Sequence, residues 1–399
     1  MKSSPVFNRL GIIGLGLLGG SLALVAREKN IVGEVIAYSR TPSTLAYALE
    51  QGIIDKAAET LADVVSECDF IIICTPLGAY RATIENMLPF LKQGVVISDV
   101  GSVKRCGIDS VLSVLPEEYQ PFFIPAHPIA GSEKSGIKAS QPELYEGRDV
   151  VITPLPLSNQ EALDKVKQFW ERIGSKVIEL DADEHDQIYA QVSHTVQACA
   201  YAYMNHFRFR GKFSDLSFKR FCRLAGSDPR MWRDIFNCNT AHIRTSIDHL
   251  VQRLQHYVEH ITLLASDNHV EGKDGFIDKL NVLFDKRDRF DPFGLIATVN
   301  VTLDSTRHIV PCMIGMALIE ECTHLDRVGS GFKDVTSSVS LWPSMGATML
   351  KQHADEVVES LQGFIEELHK MVGMMNPEFS SALEQYCLNS VLRYHSMFG

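Results

Sequence analysis

Three glycines near the start of the chain constrain its fold more than any other feature. They have the spacing G-x-G-x-x-G, directly after the apolar run 10–13 and before a helix-favouring run. In a strand–turn–helix unit of this kind, the first glycine permits the tight turn, the second lets a pyrophosphate approach the backbone, and the third lets helix and strand pack closely. The pattern predicts a bound dinucleotide at the helix N-terminus. The residues expected to contact it are Gly14, Gly16, Leu17, Leu18 and Gly19.

The second predicted strand, 34–38, indicates which dinucleotide is bound. An NAD enzyme usually carries an acidic residue after this strand, but here Ser39, Arg40 and Thr41 follow it. A guanidinium can pair with a 2′-phosphate, and hydroxyl groups can donate hydrogen bonds to it. These residues favour NADP and leave NAD open, with a solvated surface charge as the alternative for Arg40. This continuation also argues against a secretory signal peptide, which the uncharged segment 10–26 would otherwise allow.

Apolar strands and helices alternate as far as residue 180. Continuous apolar strands separated by helices predict a parallel sheet covered on both faces, whereas long amphipathic helices predominate after Asp181. We therefore predict an α/β dinucleotide-binding domain of the Rossmann type over 1–180, followed by an all-α region. The predicted strands are 10–13, 34–38, 68–74, 94–99, 122–126, 149–153 and 176–180.

Composition excludes several classes of protein. The 399 residues are 45% apolar and 22% charged, and the net charge of −11 argues against a nucleic-acid-binding surface. Nine scattered cysteines with no C-x-x-C spacing are typical of reduced thiols in a cytoplasmic protein, without disulfides or a metal site. No other uncharged apolar run reaches the length of a membrane span.

Polar segments follow several of the predicted strands, where ligands bind in an open parallel sheet. Segments 99–104 and 127–132 are expected to meet near the nicotinamide. His127 is a candidate general base, and Ser102 is a candidate to orient it or a substrate hydroxyl. For each of these two residues, a purely structural hydrogen bond is the alternative. Thr75 and Pro76, which end the strand 68–74, are expected to contact the cofactor.

The chain resembles the prephenate/arogenate dehydrogenases of tyrosine biosynthesis over residues 7–262. The resemblance implies oxidative decarboxylation of prephenate or arogenate, with hydride transfer to NAD(P) and His127 as the base. The segments that carry it, in the order of the family, are GLGLLGGS (14–21), DVGSVK (99–104), HPIAGS (127–132), EHD (184–186), SH (193–194) and SDPRMWRDI (227–235).

The resemblance also implies substrate-binding residues in the helical region, namely Arg223, His194 and Gln197. The guanidinium fork of Arg223 suits a substrate carboxylate, although an arginine here can also bond Asp228 or a helix end. The family commonly has a second histidine where this chain has Gln197. Many relatives have an aspartate where it has Arg220. These departures leave the choice between prephenate and arogenate open.

Two other features have structural interpretations. The Glu184-His185-Asp186 cluster is predicted to be a charged first turn of a long helix and not a metal site, because no second pair of ligands is evident. Trp232 is predicted to be a core residue. The alternatives to the proposed activity are another two-domain hydroxyacid dehydrogenase and a non-catalytic NADP-binding regulator.

The C-terminal part of the chain resembles its middle at an offset of 114 residues, which suggests a duplicated helical unit. We predict a helical substrate domain over 181–264, a connection over 265–304 and a degenerate second copy over 305–399. The second copy is expected to pack on the first as an intramolecular pseudo-dimer without an active site of its own, and a further homodimer stays open. The matched pairs are His194 with His308, Phe218-Lys219 with Phe332-Lys333, Pro229 with Pro343, Met231 with Met345, Leu254 with Leu368 and Val258 with Val372; Ser337 matches Arg223.

Overall fold

The structure is a computed structural model that describes residues 4–131, 134–206, 216–265, 273–287, 305–322, 328, 330–337, 339, 350 and 352–398. The chain divides after Asp186 into two compact units. The predicted boundary near residue 180 falls close to this division. Each unit has its own core, and the two are described in turn.

A six-stranded parallel sheet forms the centre of the first unit. Its strand order is β3-β2-β1-β4-β5-β6, the order of a dinucleotide-binding Rossmann sheet, which confirms the predicted fold class. Every side chain of β4 is fully buried because helices cover both faces of the sheet. The strands are β1 (Phe7–Ile13), β2 (Val32–Tyr38), β3 (Lys56–Ala57), β4 (Phe70–Ile73), β5 (Val96–Asp99) and β6 (Phe123–Ile124). The helices are α1 (Leu17–Glu28), α2 (Pro42–Glu50), α3 (Leu61–Glu67), α4 (Tyr80–Met87) and α5 (Lys104–Leu112).

A separate three-stranded sheet completes the first unit. It consists of β7 (Ala126–Pro128), β8 (Asp149–Ile152) and β9 (Lys176–Glu179), with β7 and β8 antiparallel. The expected single parallel sheet and the expected continuous strand 122–126 are therefore wrong. Pro125 separates β6 from β7 and has no N–H to donate to a ladder, so the chain changes sheets there. Helix α6 (Gln160–Ile173) precedes β9 in the sequence, and helix α7 (Ala182–Tyr189) comes after it.

The second unit is helical throughout its described residues, as the sequence predicts. A single hydrophobic core is shared by helices from both predicted copies. Residues 195–204 are all buried, so one helix is enclosed on every side. The helices are α8 (Thr195–His206), α9 (Leu216–Arg223), α10 (Pro229–Cys238), α11 (Thr240–Ala265), α12 (Lys273–Arg287), α13 (Ser305–Glu321), α14 (Ser330–Thr336), α15 (Ala354–Gly373) and α16 (Ser380–Phe398).

Two details differ from expectation. Part of the predicted connection 265–304 is the helix α12, which packs on α11 and α13; the rest of it, 266–272 and 288–304, lies outside the described residues. Seven cysteines are free thiols, so the expectation of nine reduced thiols is confirmed at those seven positions only. None of the helices in the described part of the chain is long and apolar enough to cross a membrane.

Candidate functional site

The glycine turn between β1 and α1 has the geometry that its spacing predicts. Gly14 has a φ of +103°, and its backbone N–H donates to the carbonyl of Tyr38 at 2.9 Å. A Cβ at Gly14 would lie 2.8 Å from the carbonyl oxygen of Cys74, and a Cβ at Gly19 would lie 2.2 Å from the carbonyl oxygen of Gly14. The fold itself therefore requires glycine at both positions.

Gly16 is different, because a Cβ there would meet no protein atom within 4 Å. Gly16 is the N-cap of α1, has no side chain to cap the helix, and precedes a first turn without acidic residues. Open space therefore lies beside the N-terminus of α1, whose first amides have no partner within the helix. Protein packing does not explain why position 16 is a glycine. This cradle fits a pyrophosphate, which would be held by the backbone at Gly16, Leu17 and Leu18.

The residues after β2 lie beside this turn, since Tyr38 at the end of β2 is bonded to Gly14. Arg40 and Thr41 are exposed, Ser39 is half-buried, and the backbone N–H of Thr41 donates to the Ser39 hydroxyl at 3.3 Å. Among the residues that the structure describes, no carboxylate pairs with Arg40. An acidic residue at this position would repel a 2′-phosphate. Here the position is occupied by Arg40, which has no described ion pair.

Thr75 and Pro76 follow β4 at the same edge of the sheet. The hydroxyl oxygen of Thr75 is buried and has no hydrogen-bond partner among the described residues. Since buried hydroxyl groups are nearly always bonded, this atom is a candidate for a contact with a bound molecule.

A buried ion pair lies at the end of β5. The Oδ2 of Asp99 accepts hydrogen bonds from the Lys104 ammonium at 2.6 Å, the Tyr80 hydroxyl at 2.9 Å and the Gly101 N–H at 2.8 Å. Its Oδ1 accepts from the Ala126 N–H at 3.0 Å. Burial lowers the pKa of Lys104, and the Asp99 carboxylate opposes that shift. The pair ties β5 to α5 and β7, and thereby fixes the strand that carries the candidate base.

His127 lies in β7, where it begins a chain of three buried side chains. Its Nδ1 is 2.8 Å from Nε2 of His185, and Nδ1 of His185 is 2.8 Å from Oδ1 of Asp186. The exposed fractions are 8%, 0% and 1%, respectively. Such a chain can fix the orientation and tautomer of His127.

The prediction that Glu184-His185-Asp186 is a charged first turn is therefore wrong for two of its three residues. His185 and Asp186 point into the protein because the Asp186 carboxylate accepts hydrogen bonds from the backbone N–H groups of Lys104 at 2.7 Å and Arg105 at 2.9 Å. These amides begin α5, which has no side-chain cap of its own. Asp186 thus caps a helix other than the one to which it belongs. Among the described residues, no group of three or more His, Cys, Asp or Glu side chains could hold a metal ion.

Burial and hydrogen bonding shift the two pKa values of this cluster. Burial lowers the pKa of His185, and Asp186 opposes that shift. For Asp186, burial raises the pKa, but the hydrogen bonds from His185 and from the amides of α5 outweigh it, so the pKa is lowered. The favoured state is a neutral His185 beside an ionised Asp186.

Ser102 is half-buried and makes no hydrogen bond to any described residue. The structure therefore does not join Ser102 to His127. A role for Ser102 in binding a substrate hydroxyl stays a prediction.

Arg223, in the second unit, ends α9. Its Nε donates to Oδ2 of Asp334 at 2.9 Å, and its Nη2 donates to the same oxygen. Arg223 is therefore paired with Asp334 of α14, whereas Asp228 caps α10 through the Arg230 N–H at 2.8 Å. The two side chains are 27% and 20% exposed, so the pair is partly screened from solvent.

Three further residues of the second unit surround the start of α8. The amide Nε2 of Gln197 donates to the Leu224 carbonyl at 2.8 Å, while its Oε1 is buried without a partner among the described residues. His194 ends a π-helical turn, and its Nδ1 is 3.1 Å from Nδ2 of Asn239. Trp232 packs against the core, as predicted, but its indole Nε1 is buried without a described partner. Two unsatisfied polar atoms here mark a candidate ligand contact.

The sequence interpretation missed His185, Asp186, Lys104 and Asp334 as parts of these arrangements. Lys104 and Asp99 belong to one polar segment after a strand, which is a usable signal for a buried pair. Asp334 stands 114 residues after Arg220, which is the offset of the predicted repeat. No local signal distinguishes a buried His185-Asp186 from a solvated one.

Comparison with known proteins agrees with these observations. The family model for the prephenate dehydrogenase nucleotide-binding domain matches residues 22–179, and the one for the prephenate dehydrogenase dimerization domain matches residues 181–273. A cyclohexadienyl dehydrogenase of Zymomonas mobilis is 30% identical over 258 residues, which are 63% of this chain and 87% of that protein. A prephenate dehydrogenase of Bacillus subtilis is 29% identical over 259 residues, 62% of this chain and 69% of that protein.

A solved structure shares the fold of both matched regions. It is the prephenate dehydrogenase of Aquifex aeolicus in complex with hydroxyphenyl propionate and NAD+, with a TM-score of 0.62 and 29% identity over 69% of this chain and 96% of that one. The chain therefore belongs to the prephenate/arogenate dehydrogenase family, a family of dinucleotide-dependent oxidoreductases.

Proposed function

We propose that the protein catalyses the NADP-dependent oxidative decarboxylation of prephenate or arogenate, giving 4-hydroxyphenylpyruvate or tyrosine. The observation that carries this proposal is the histidine chain of the first unit. His127 is held at 2.8 Å from His185 in the same unit as the glycine turn and the open N-terminus of α1. A base and a dinucleotide cradle in one unit are the components that oxidation of a carbinol requires.

The chemistry assigned to the protein is proton removal and substrate binding. NADP, when bound, accepts the hydride from the ring carbon that bears the hydroxyl. His127 takes the proton of that hydroxyl, which makes loss of the hydride easier. The ring ketone formed is a vinylogous β-keto acid, so the bond to the ring carboxylate breaks, carbon dioxide leaves, and the electron pair completes an aromatic ring. The phenolate oxygen formed takes back the proton that His127 holds.

The cofactor preference rests on the turn after β2. Arg40 is exposed, follows β2 directly and has no described carboxylate partner. A 2′-phosphate would find a guanidinium and two hydroxyl side chains, Ser39 and Thr41, where an NAD enzyme would have an acid. We therefore assign NADP as the better cofactor, with NAD used less efficiently.

Substrate binding is assigned to Arg223, His194 and Gln197, as the family resemblance implies. Asp334 accepts hydrogen bonds from Arg223 and so orients its guanidinium, whose planar fork suits a substrate carboxylate. Because Nε2 of Gln197 is bonded to Leu224, the amide presents its oxygen as an acceptor. An acceptor suits the ammonium of arogenate better than the keto group of prephenate, so we expect arogenate to be accepted.

The test is the purified protein with NADP and either substrate, with the absorbance of the reduced cofactor as the readout. His127→Asn is expected to lower turnover by roughly 10²-fold or more with little change in NADP affinity, because general-base assistance acts only in the transition state. Cofactor binding without turnover of either substrate would favour the non-catalytic regulator. Turnover of a 3-hydroxyacid instead would indicate the other class of two-domain dehydrogenase.

A further inference from the structure

We propose that His185 and Asp186 are positioning residues that hold His127 in the tautomer whose Nε2 acts as the base. This inference rests on the proposed function of His127. The evidence is the unbroken chain from His127 Nδ1 through both ring nitrogens of His185 to Asp186, with each link 2.8 Å long.

Proton positions along the chain follow from its charged end. The Asp186 carboxylate already accepts the backbone N–H groups of Lys104 and Arg105, so it is an acceptor for His185 as well. Nδ1 of His185 therefore carries the proton, and Nε2 of a neutral His185 is left with a lone pair. Nδ1 of His127 must then donate to that lone pair, which leaves the lone pair of His127 on Nε2.

The charges around His185 favour its neutral form. It is fully buried, and burial lowers its pKa; the neighbouring Lys104 ammonium lowers it further, while the Asp186 and Asp99 carboxylates oppose the shift. Lys104 and Asp99 neutralise each other as an ion pair, which leaves Asp186 as the net charge beside the ring. When Nε2 of His127 takes the substrate proton, its Nδ1–H stays on His185, and the positive charge is stabilised by the chain that ends at Asp186.

The decisive variant is Asp186→Asn. An asparagine can present an NH2 group to Nδ1 of His185, which moves the His185 proton to Nε2 and the His127 lone pair to Nδ1. We expect kcat to fall by roughly 10²-fold or more, NADP affinity to stay within about twofold, and the acidic limb of the kcat/KM profile to shift. The matched control is Asp183→Asn, an exposed acid in the first turn of the same helix.

Nitrogen-15 NMR of the His127 ring reads the tautomer directly and does not depend on turnover. The proposal expects the proton on Nδ1 in the unmodified protein and on Nε2 in D186N.

Since Asp186 also caps α5, His185→Phe is the second variant. It removes the acceptor, fills the same space, and is expected to lower kcat to a similar extent. Unchanged tautomers, or kcat within about twofold in a folded D186N or H185F protein, would overturn the proposal. An unmodified protein inactive on both substrates but with the expected tautomers would count against the proposed function alone.

A second inference comes from the positions of the helices in the second unit. Helices α11 and α15 begin at Thr240 and Ala354, which are 114 residues apart, the offset of the predicted repeat. At the same offset, the described residues of α9 correspond to those of α14. At the same offset, α8 corresponds to residues 309–320 of α13.

The contacts between these helices are exchanged as in a two-fold dimer. Helix α11 packs on its equivalent α15, and α9 packs on its equivalent α14. Helix α8 packs on α15. In the same way α13, which is the equivalent of α8, packs on α11, which is the equivalent of α15. The contacts α8–α14 and α13–α9 are exchanged in the same way. Such reciprocal packing is the mark of an isologous interface, and here both sides belong to one chain.

The equivalence fails at the substrate arginine. Ser337 stands at the position of Arg223, and Arg220 stands at the position of Asp334. One of the two reciprocal pairs, Arg223 with Asp334, is therefore an ion pair. The other would join Ser337 to Arg220, which carry no opposite charges. The Ser337 hydroxyl is instead bonded to the Asp334 carbonyl at 2.7 Å.

We propose that helices α13, α14 and α15 form a second copy of the helical unit that takes the place of a partner subunit, and that Asp334 of this copy is a positioning residue for Arg223. The part concerning Arg223 rests on its proposed role in binding the substrate carboxylate. Asp334 accepts from Nε and Nη2 and so fixes the plane of the guanidinium before the substrate arrives. The chain then has one substrate arginine for two helical units.

Asp334→Asn tests this role. We expect the substrate KM to rise about tenfold with kcat and NADP affinity within about twofold, because an arginine that is less well oriented loses ground-state binding. The matched control is Glu384→Gln, which weakens a similar ion pair with Arg233 in the same unit. A lower KM would show that Asp334 competes with the substrate, and an unchanged KM would show no role; either result overturns the proposal for Asp334.

Two readouts are independent of turnover. Calorimetric binding of hydroxyphenyl propionate, as a substrate-like carboxylate, is expected to weaken in D334N by the same factor as the KM, even if the reaction is a different one. Sedimentation of the full chain is expected to give the mass of one chain, 44.5 kDa. A stable dimer that buries α11 or α15 against a second chain would show that α13, α14 and α15 do not replace a partner.

Discussion

The ammonium of Lys104 lies 2.6 Å from the carboxylate of Asp99, and both side chains are about 1% exposed. The same ammonium donates to the carbonyl of Ala126 at 2.7 Å, directly before His127. A buried charge pair with this many hydrogen bonds sets the separation of β5, α5 and β7. It holds the backbone under the candidate base without belonging to the histidine chain.

Replacing Lys104 by methionine is expected to destabilise the first unit by about 3–5 kcal/mol, because Asp99 would be left as an uncompensated buried charge. Denaturant unfolding of the full chain, followed by a probe in the first unit, measures the loss. The double variant Lys104→Met with Asp99→Asn removes both charges and is expected to recover part of it. A single variant as stable as the unmodified protein would contradict the importance of the pair.

Gly16→Ala and Gly19→Ala separate the needs of the cofactor from those of the fold. At Gly16 the new methyl group meets no protein atom, so we expect unchanged stability but NADP affinity lower by about tenfold or more, since the methyl group occupies the phosphate cradle. At Gly19 it would lie 2.2 Å from a carbonyl oxygen, and we expect destabilisation by about 1–3 kcal/mol. Thermal melting and NADP titration of both variants check this contrast. If G16A bound NADP as tightly as the unmodified protein, the backbone at Gly16 would not be the phosphate-binding site.

The preference for NADP is expected to be at least about tenfold over NAD, a difference of about 1.4 kcal/mol that one phosphate–arginine pair can supply. Arg40→Asp should reverse the preference. The measurement is kcat/KM with each cofactor. Arg148→Asp, a substitution at another exposed arginine of the same unit, serves as the control and should leave the ratio unchanged. Equal efficiency of the unmodified protein with both cofactors would refute the interpretation of the turn after β2.

The lowered pKa of His185 predicts how the stability of the first unit depends on pH. In the unfolded chain this ring binds a proton below its ordinary value of 6.5, whereas the folded protein binds it only at lower pH. The unfolded state therefore binds more protons in that window, and stability falls as the pH drops through it, by up to about 1.4 kcal/mol per pH unit. Unfolding of H185F, measured at about pH 7.5 and pH 5.5, should show a smaller loss than the unmodified protein. The same pH dependence in both proteins would exclude this origin.

Local requirements explain what the sequence could predict. Gly14 needs a positive φ and Gly19 leaves no room for a methyl group, so the glycine spacing alone identifies the turn. The apolar runs of β1, β4 and β5 likewise identify themselves, because strands buried on both faces have no polar alternation. These features depend on residues within a few positions of each other.

Features that depend on distant residues could not be predicted in the same way. The burial of His185 and Asp186 follows from the start of α5, more than eighty positions earlier in the sequence, to which Asp186 is bonded. The antiparallel pairing of β7 depends on β8, and neither strand is long enough to show its direction. The partner of Arg223 lies 111 residues away, so a pattern of charges around Arg223 points to Asp228 instead.

The burial of α8 has a consequence for how the chain folds during synthesis. Its carbonyl groups at Tyr201 and Met204 accept hydrogen bonds from Ser390 and Arg393 of α16, which are 189 residues further along the chain in both cases. By contrast, every strand of the first unit has been synthesised once residue 179 has left the ribosome. The first unit can therefore fold while translation continues, whereas α8 exposes its apolar surface until α16 has emerged. The helical unit is therefore prone to aggregation and chaperone binding from the synthesis of α8 to that of α16, the time needed to translate nearly two hundred residues.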